Sequence, residues 1–263
     1  MALECPPVSA GIRILKAMVV ALALSPALPP ASGQTAPAPD SDASTESERP
    51  SLEATLAKAL DGDTEAQAMI ASTYEERGSH EDAIRWYRKA AEQGRPDAQF
   101  KLGFYHATGA GGLERDMAKA AAWFQRAAEA NQPGAQYNLA VCFEKGLGVA
   151  RDDKAALSWY RRAAFQGETF AQKAVGVFHE QGRGVKPDTV EALAWYLLSA
   201  NRNNSESARL LQNLAPRLKP DDVKKAQQRA ETLSVKIYQA SLASSVATVA
   251  GKDSQGPAKD FLE

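Results

Sequence analysis

The apolar positions between residues 63 and 200 recur with the period of a helix, and the helical pattern recurs in four blocks. Each block has an anchoring alanine (Ala66, Ala98, Ala135, Ala171), followed four residues on by a large apolar side chain (Ile70, Leu102, Leu139, Val175). A small residue comes next (Ala71, Gly103, Ala140, Gly176), and the eighth after the anchor is aromatic or an imidazole: Tyr74, His106, Phe143, His179. At about 100° per residue these offsets share one side of a helix and are expected to form its buried stripe. The small residue lets a neighbouring helix approach closely.

A second helix is predicted in every block. It carries a Trp followed by an aromatic ring (Trp86-Tyr87, Trp123-Phe124, Trp159-Tyr160, Trp195-Tyr196), and four residues after each Trp a pair of small residues: Ala90-Ala91, Ala127-Ala128, Ala163-Ala164, Ser199-Ala200. Glycines separate the two helices in the last three blocks, at Gly109, Gly111 and Gly112, at Gly146 and Gly148, and at Gly182 and Gly184. Glycine ends a helix cheaply because it accepts the left-handed conformation. Seven residues before each Trp stands a good N-cap, namely Ser79, Asp116, Asp152 and Asp188, and Asp188 with Glu191 has capping-box spacing.

Two independent registers fix the repeat. Ala-Gln pairs at Ala66-Gln67, Ala98-Gln99, Ala135-Gln136 and Ala171-Gln172 are spaced by 32, 37 and 36 residues, and the tryptophans by 37, 36 and 36. The run from Ala135 to Ala164, with Ala-Gln, Leu139, Gly146, Gly148, Asp152, Trp159-Tyr160 and Ala163-Ala164, resembles the Sel1-like repeat, a relative of the tetratricopeptide repeat. The resemblance covers about residues 63–200, as units near 63–94, 95–131, 132–167 and 168–201. The first unit lacks the paired glycines and is closer to an ordinary tetratricopeptide unit. The resemblance implies an all-α fold, a right-handed α-solenoid of antiparallel helix pairs, acting as a protein-binding adaptor.

Outside the repeats the pattern changes. Arg13 and Lys16 precede an apolar run, Ala17 to Leu24, and small residues at Ala31, Ser32 and Gly33 follow. That is the layout of an export signal cleaved near Gly33, and the run is far shorter than the roughly 20 residues that span a bilayer. Residues 1–33 are therefore expected to direct the chain to the periplasm or outside the cell. Residues 34–50 are rich in Pro, Ala, Ser, Thr and acid, and a flexible linker is expected over 34–60. Residues 202–240 are expected to form capping helices, with a closing segment from Pro220 to about Leu233, and 241–263 a disordered tail.

Charge and candidate chemistry narrow the function. Lys and Arg number 31 against 32 Asp and Glu, too even for a general nucleic-acid binder. The glycine-rich turns lack P-loop spacing and follow no strand, so they read as helix connectors. His106 and His179 hold a position that is Tyr74 and Phe143 in the other units, which points to packing. No Cys/His cluster has zinc spacing, and Cys142 beside the buried stripe reads as a packed thiol. No catalytic residue, metal or cofactor is expected.

The helix offsets facing away from the stripe are 2, 6 and 9. They place Phe100, Phe104, Tyr137 and Val141 as an apolar patch, with Glu144, Lys173, Val177 and Glu180 beside it, a surface suited to a peptide or partner helix if it is open. The expectation is a non-catalytic scaffold holding a protein or peptide partner in the cell envelope. Two alternatives are a regulatory inhibitor of a membrane sensor, and an envelope enzyme or cell-wall ligand binder, which would need convergent polar residues in one groove.

Overall fold

A computed structural model of the protein describes residues 51–249, and every α-helix or 3-10 turn among them belongs to one stack of helices with no strand. The stack opens with α1 (Leu52–Leu60). Four pairs follow: α2 (Thr64–Glu76) with α3 (His80–Glu92), α4 (Pro96–Thr108) with α5 (Met117–Glu129), α6 (Pro133–Lys145) with α7 (Asp153–Phe165), and α8 (Thr169–Gln181) with α9 (Thr189–Ala200). It closes with α10 (Ser205–Leu214), a 3-10 turn Ala215–Arg217, and the long α11 (Pro220–Val249). Helices adjacent in sequence pack on one another from α1 to α10, and α11 packs back on α9, so the described residues form an α-solenoid of antiparallel helix pairs with a closing helix.

Within a pair, the second-helix ring lies on the small residue of the first helix. A Cβ added to Gly103 would sit 2.6 Å from the Phe124 ring, and one on Gly176 would sit 2.6 Å from the Tyr196 ring. In the other units Ala71 and Ala140, both fully buried, share clusters with Tyr87 and Tyr160. Burying each ring contributes roughly 2–3 kcal/mol. The repeated alanines serve the same end, since Ala90, Ala127 and Ala163 are all at 0% exposure.

Between pairs, the glutamine of each Ala-Gln dipeptide is the joint. Gln67, Gln99, Gln136 and Gln172 donate through Nε2 to the carbonyls of Ala59, Ala91, Ala128 and Ala164, at 3.1, 3.1, 3.3 and 3.2 Å. Those carbonyls lie in the last turn of the preceding helix, where each already accepts from the turn amide of Gly62, Gly94, Asn131 or Gly167, and the glutamine fills the second lone pair. The second joint is the glycine turn. Gly109, Gly146 and Gly182 are left-handed caps, and two residues on a second left-handed glycine touches the preceding repeat. A Cβ on Gly148 would fall 2.1 Å from the Met117 carbonyl oxygen, and one on Gly184 would fall 2.6 Å from that of Asp153.

Several expectations are corrected. The linker does not run to 60: Ser51 accepts from Ala54 N to start α1, and α1 supplies the carbonyl that Gln67 needs. The closing segment does not stop near Leu233, nor does a tail begin at 241, because α11 continues to Val249. Asp116, Asp152 and Asp188 accept from amides of the first turn they cap, but Ser79 makes no side-chain cap bond. The capping box at Asp188 is half formed: the Glu191 carboxylate is taken by Trp195 Nε1 and Arg229 instead. Offset 8 is only half-buried, because it lies in the last turn beside the open loop. Offset 7 is the buried position, at Tyr105, Cys142 and Phe178. The expected signal over 1–33, most of the linker and residues 250–263 lie outside the described residues.

The paired glycines therefore make unequal demands. Gly148→Ala is expected to cost about 2–4 kcal/mol, from positive-φ strain plus overlap with backbone. Gly112→Ala, at positive φ but with open space around it, is expected to cost about 1 kcal/mol. Urea denaturation of the two variants measures the difference.

Candidate functional site

The outward edge of the first helices is built from the ends of the same side chains that pack the pairs. Tyr87, Tyr160 and Tyr196 carry their rings into the core and their hydroxyls to this edge. There they donate to Glu75, Glu144 and Glu180 at 2.8, 2.6 and 2.7 Å. A buried hydroxyl without a partner is costly, and a carboxylate acceptor gives the stronger, charge-assisted bond. Burial and the neighbouring carboxylate push all three phenols well above the usual tyrosine range. The second unit departs from this scheme consistently: its ring is Phe124, and the position of the glutamate is Ala107.

Two of the glutamates also meet cations from the next repeat. Lys101 Nζ lies 2.7 Å from Glu75, which also accepts from Tyr105 Oη at 3.2 Å. Burial opposes ionisation of Glu75, but Lys101 and the two tyrosine hydroxyls outweigh it and hold the carboxyl below its ordinary range. Arg183 bridges Glu144 at 2.7 Å and Asp153 at 2.8 Å, with its guanidinium over the Phe178 ring. Glu180 has no ion-pair partner among the described residues.

The sequence-predicted face is thus partly consumed by packing. Phe104 stands 49% exposed. Phe100 is half-buried, its ring against Gly134 in the first turn of α6 and 6.0 Å from the Phe124 ring. Tyr137 is half-buried, 5.6 Å from the Tyr160 ring. Val141 and Val177 pack partly on clusters shared with the next unit, and Lys173 is tied to Glu206 at 2.6 Å. Glu144 and Glu180 are bound to tyrosines as described. The expectation of an open Phe100–Tyr137 patch is therefore corrected: offset 2 seats on the first turn of the next repeat.

Phe170 was missed. It is 55% exposed, with its ring 6.4 Å from Tyr137, and together with Phe100, Phe104 and Tyr137 it makes an aromatic tract across three units. Its place one residue before the anchoring Ala171 falls on the same side as offsets 2 and 6 at about 100° per residue, so the helical wheel contains the signal.

The remaining candidate groups do not converge. His106 and His179 sit in units two and four; burial lowers the basicity of both, and both have a buried Nδ1 without a hydrogen-bond partner. His106 lines an open cavity of about 480 Å³ with Leu113, Arg115, Asp116 and Lys119. Burial raises the Cys142 thiol to about 11, which suits a packed side chain rather than a nucleophile. Among the described residues no group of three or more His, Cys, Asp or Glu side chains gathers as metal ligands would.

The repeat geometry has direct counterparts. A model of the Sel1 repeat matches residues 64–94, 96–132, 133–168 and 169–204. The chain belongs to the Sel1 repeat family. A Sel1 repeat protein from Oxalobacter formigenes is similar at 33% identity and a TM-score of 0.57, over 62% of this chain and 48% of that one. A protective antigen of uropathogenic Escherichia coli displaying an SLR fold is similar at 25% identity and a TM-score of 0.51, over 73% of this chain and 50% of that one. The chain thus spans about half the length of these solved structures. No protein of curated function matches it.

The Sel1 units also differ in how well their joints are satisfied. Gln93 Nε2 donates to Gln67 Oε1 at 2.9 Å, and Gln166 Nε2 to Gln136 Oε1 at 2.8 Å. Both donors stand seven residues after the repeat Trp, where the second unit has Ala130, and Gln99 Oε1 is buried without a partner. Ala130→Gln is expected to stabilise the protein by about 0.5–1.5 kcal/mol, read as a higher urea midpoint at unchanged slope.

Proposed function

We propose that the chain is a non-catalytic scaffold that holds a protein or peptide partner on the outward edge of its first helices. The observation that carries this is the aromatic tract. Phe104 and Phe170 expose about half their surface on a face otherwise made of satisfied polar groups, with half-buried Phe100 one helical turn from Phe104 and half-buried Tyr137 beside Phe170. Exposed rings on a rigid frame are efficient anchors, because they offer large apolar area at low entropic cost. Membership of the Sel1 family agrees, since its repeats typically serve protein interaction.

The cell envelope is the proposed compartment. The basic residues Arg13 and Lys16, the apolar run Ala17 to Leu24 and the small residues ending at Gly33 support this reading. N-terminal sequencing of the protein from fractionated cells is expected to give a start near Gln34 in the periplasm, and an uncleaved cytoplasmic chain would overturn export.

The binding reading is tested by the double variant Phe104→Ala with Phe170→Ala. Crosslinking pull-down from the envelope fraction is expected to recover about tenfold less partner, while the melting temperature stays within about 2 °C. Equal capture by both proteins would remove these rings from the site.

A further inference from the structure

The two faces of α11 follow different rules along its length. Its inner face, Ala226, Ala230, Leu233 and Ile237, is buried on the solenoid, where it covers Trp195 and Phe165. Its outer face begins as solvent demands, with Lys224, Gln228 and Glu231 all exposed. At about 100° per residue the same outer face continues through Val235, Tyr238 and Leu242. These three are 47%, 70% and 54% exposed. Over residues 232–249 the only charged residue is Lys236. The helix is thus polar outside in its first half and apolar outside in its second.

We propose that the apolar half takes a second copy of the chain as its partner, docked stripe to stripe through the C-terminal half of α11. The spacing from Val235 to Tyr238 to Leu242 is three then four residues, that of the seam of a two-stranded coiled coil. An identical helix presents the same seam, so a two-fold axis sets apolar positions against apolar positions. The flanking Ser234 and Gln239 carry no charge, so two identical helices meet without repulsion. The same lack of charge disfavours the other occupants. A partner chosen by charge would find only Lys236, and an interfacial membrane helix carries several Lys or Arg on its polar face.

The stripe is short. Three partly exposed side chains per copy offer less than the roughly 800 Å² per partner of a standard interface, so the association is weak, with a dissociation constant on the order of 10–100 µM. It uses neither Phe104 nor Phe170 and stands independently of the partner-binding edge. It also leaves that edge free, so a dimer presents two copies of it.

Sedimentation equilibrium of the purified chain from about 5 to 500 µM tests this. The mass is expected to rise from monomer towards dimer over that range. Leu242→Glu and Tyr238→Glu are each expected to weaken association tenfold or more, and Leu242→Ser to weaken it less. Lys224→Ala, on the polar half of the same face, is expected to change nothing. All three positions are exposed, and unchanged far-UV circular dichroism and melting confirm that each of the four variants is folded. A monomer at the highest concentration overturns the proposal, as does a dimer indifferent to both glutamate substitutions. A monomer that co-sediments with phosphatidylglycerol vesicles, and ceases to with Leu242→Glu, overturns it in favour of a lipid surface.

Discussion

A glutamine amide buried between two helices must place its N–H group on an acceptor, and in this solenoid it finds the same one, a carbonyl of the preceding helix, at every joint. The last carbonyls of a helix lack the amide donors of its interior, and each Ala-Gln glutamine adds its own N–H to the turn amide that one such carbonyl of the preceding helix accepts. The bond is short-range and directional, so it fixes how far one pair rotates relative to the last. The neighbouring alanines matter because only a small side chain lets the helices come close enough for the amide to reach. Sequence spacing, helix approach and the angle between repeats are then one constraint seen at three scales. The requirement explains α1 as well: the first glutamine needs a preceding helix end, and Ala59 provides it.

That constraint also decides what the outward edge can be. Once the rings of Tyr87, Tyr160 and Tyr196 are seated on small residues, their hydroxyls emerge where a carboxylate must meet them, which makes the edge acidic by structural necessity. The negative charges there are joints first. Lys101 and Arg183 then add inter-repeat ties, each from the unit that follows. Glu180 is in the last unit, with no following repeat to supply such a cation.

Much of this was legible in the sequence, for a reason specific to repeats. A position seen four times reveals its tolerance: Ile70, Leu102, Leu139 and Val175 say "large and apolar" more firmly than any one of them could. The Gly-x-Gly turns and three aspartate caps were readable in the same way. What failed lies where repetition stops. Leu52–Leu60 has a single copy and follows a Pro- and Ser-rich stretch, so composition outweighed its apolar pattern of Leu52, Leu56 and Leu60. Residues 241–249 of α11 read as a tail because Ser, Ala and Thr dominate them. Whether offset 2 is open could not be read because a helical wheel holds one helix, and the residue against Phe100 is Gly134 of the next repeat. Phe170 escaped because the same place holds Glu65, Asp97 and Gly134 in the other units, so periodicity gave it no weight.

The second unit shows how a repeat array turns a structural economy into a surface. Phe124 has no hydroxyl, so its unit needs no carboxylate, and Ala107 stands where the others have glutamate. Losing the pair costs little, because a ring without a polar atom can be buried without leaving a group unsatisfied. It also removes the negative charge that the other units carry three residues after the place of Phe104. The edge there becomes Phe100, Phe104 and Ala107 in succession, apolar because the core behind it gave up its hydrogen bond. The aromatic tract therefore begins where the tyrosine–glutamate clasp is absent. It reaches Phe170 through Tyr137, whose ring packs on Tyr160 of the next clasp. Selectivity along an otherwise uniform solenoid can arise in this way from one exchanged pair, with no change in the joints that hold the repeats in register.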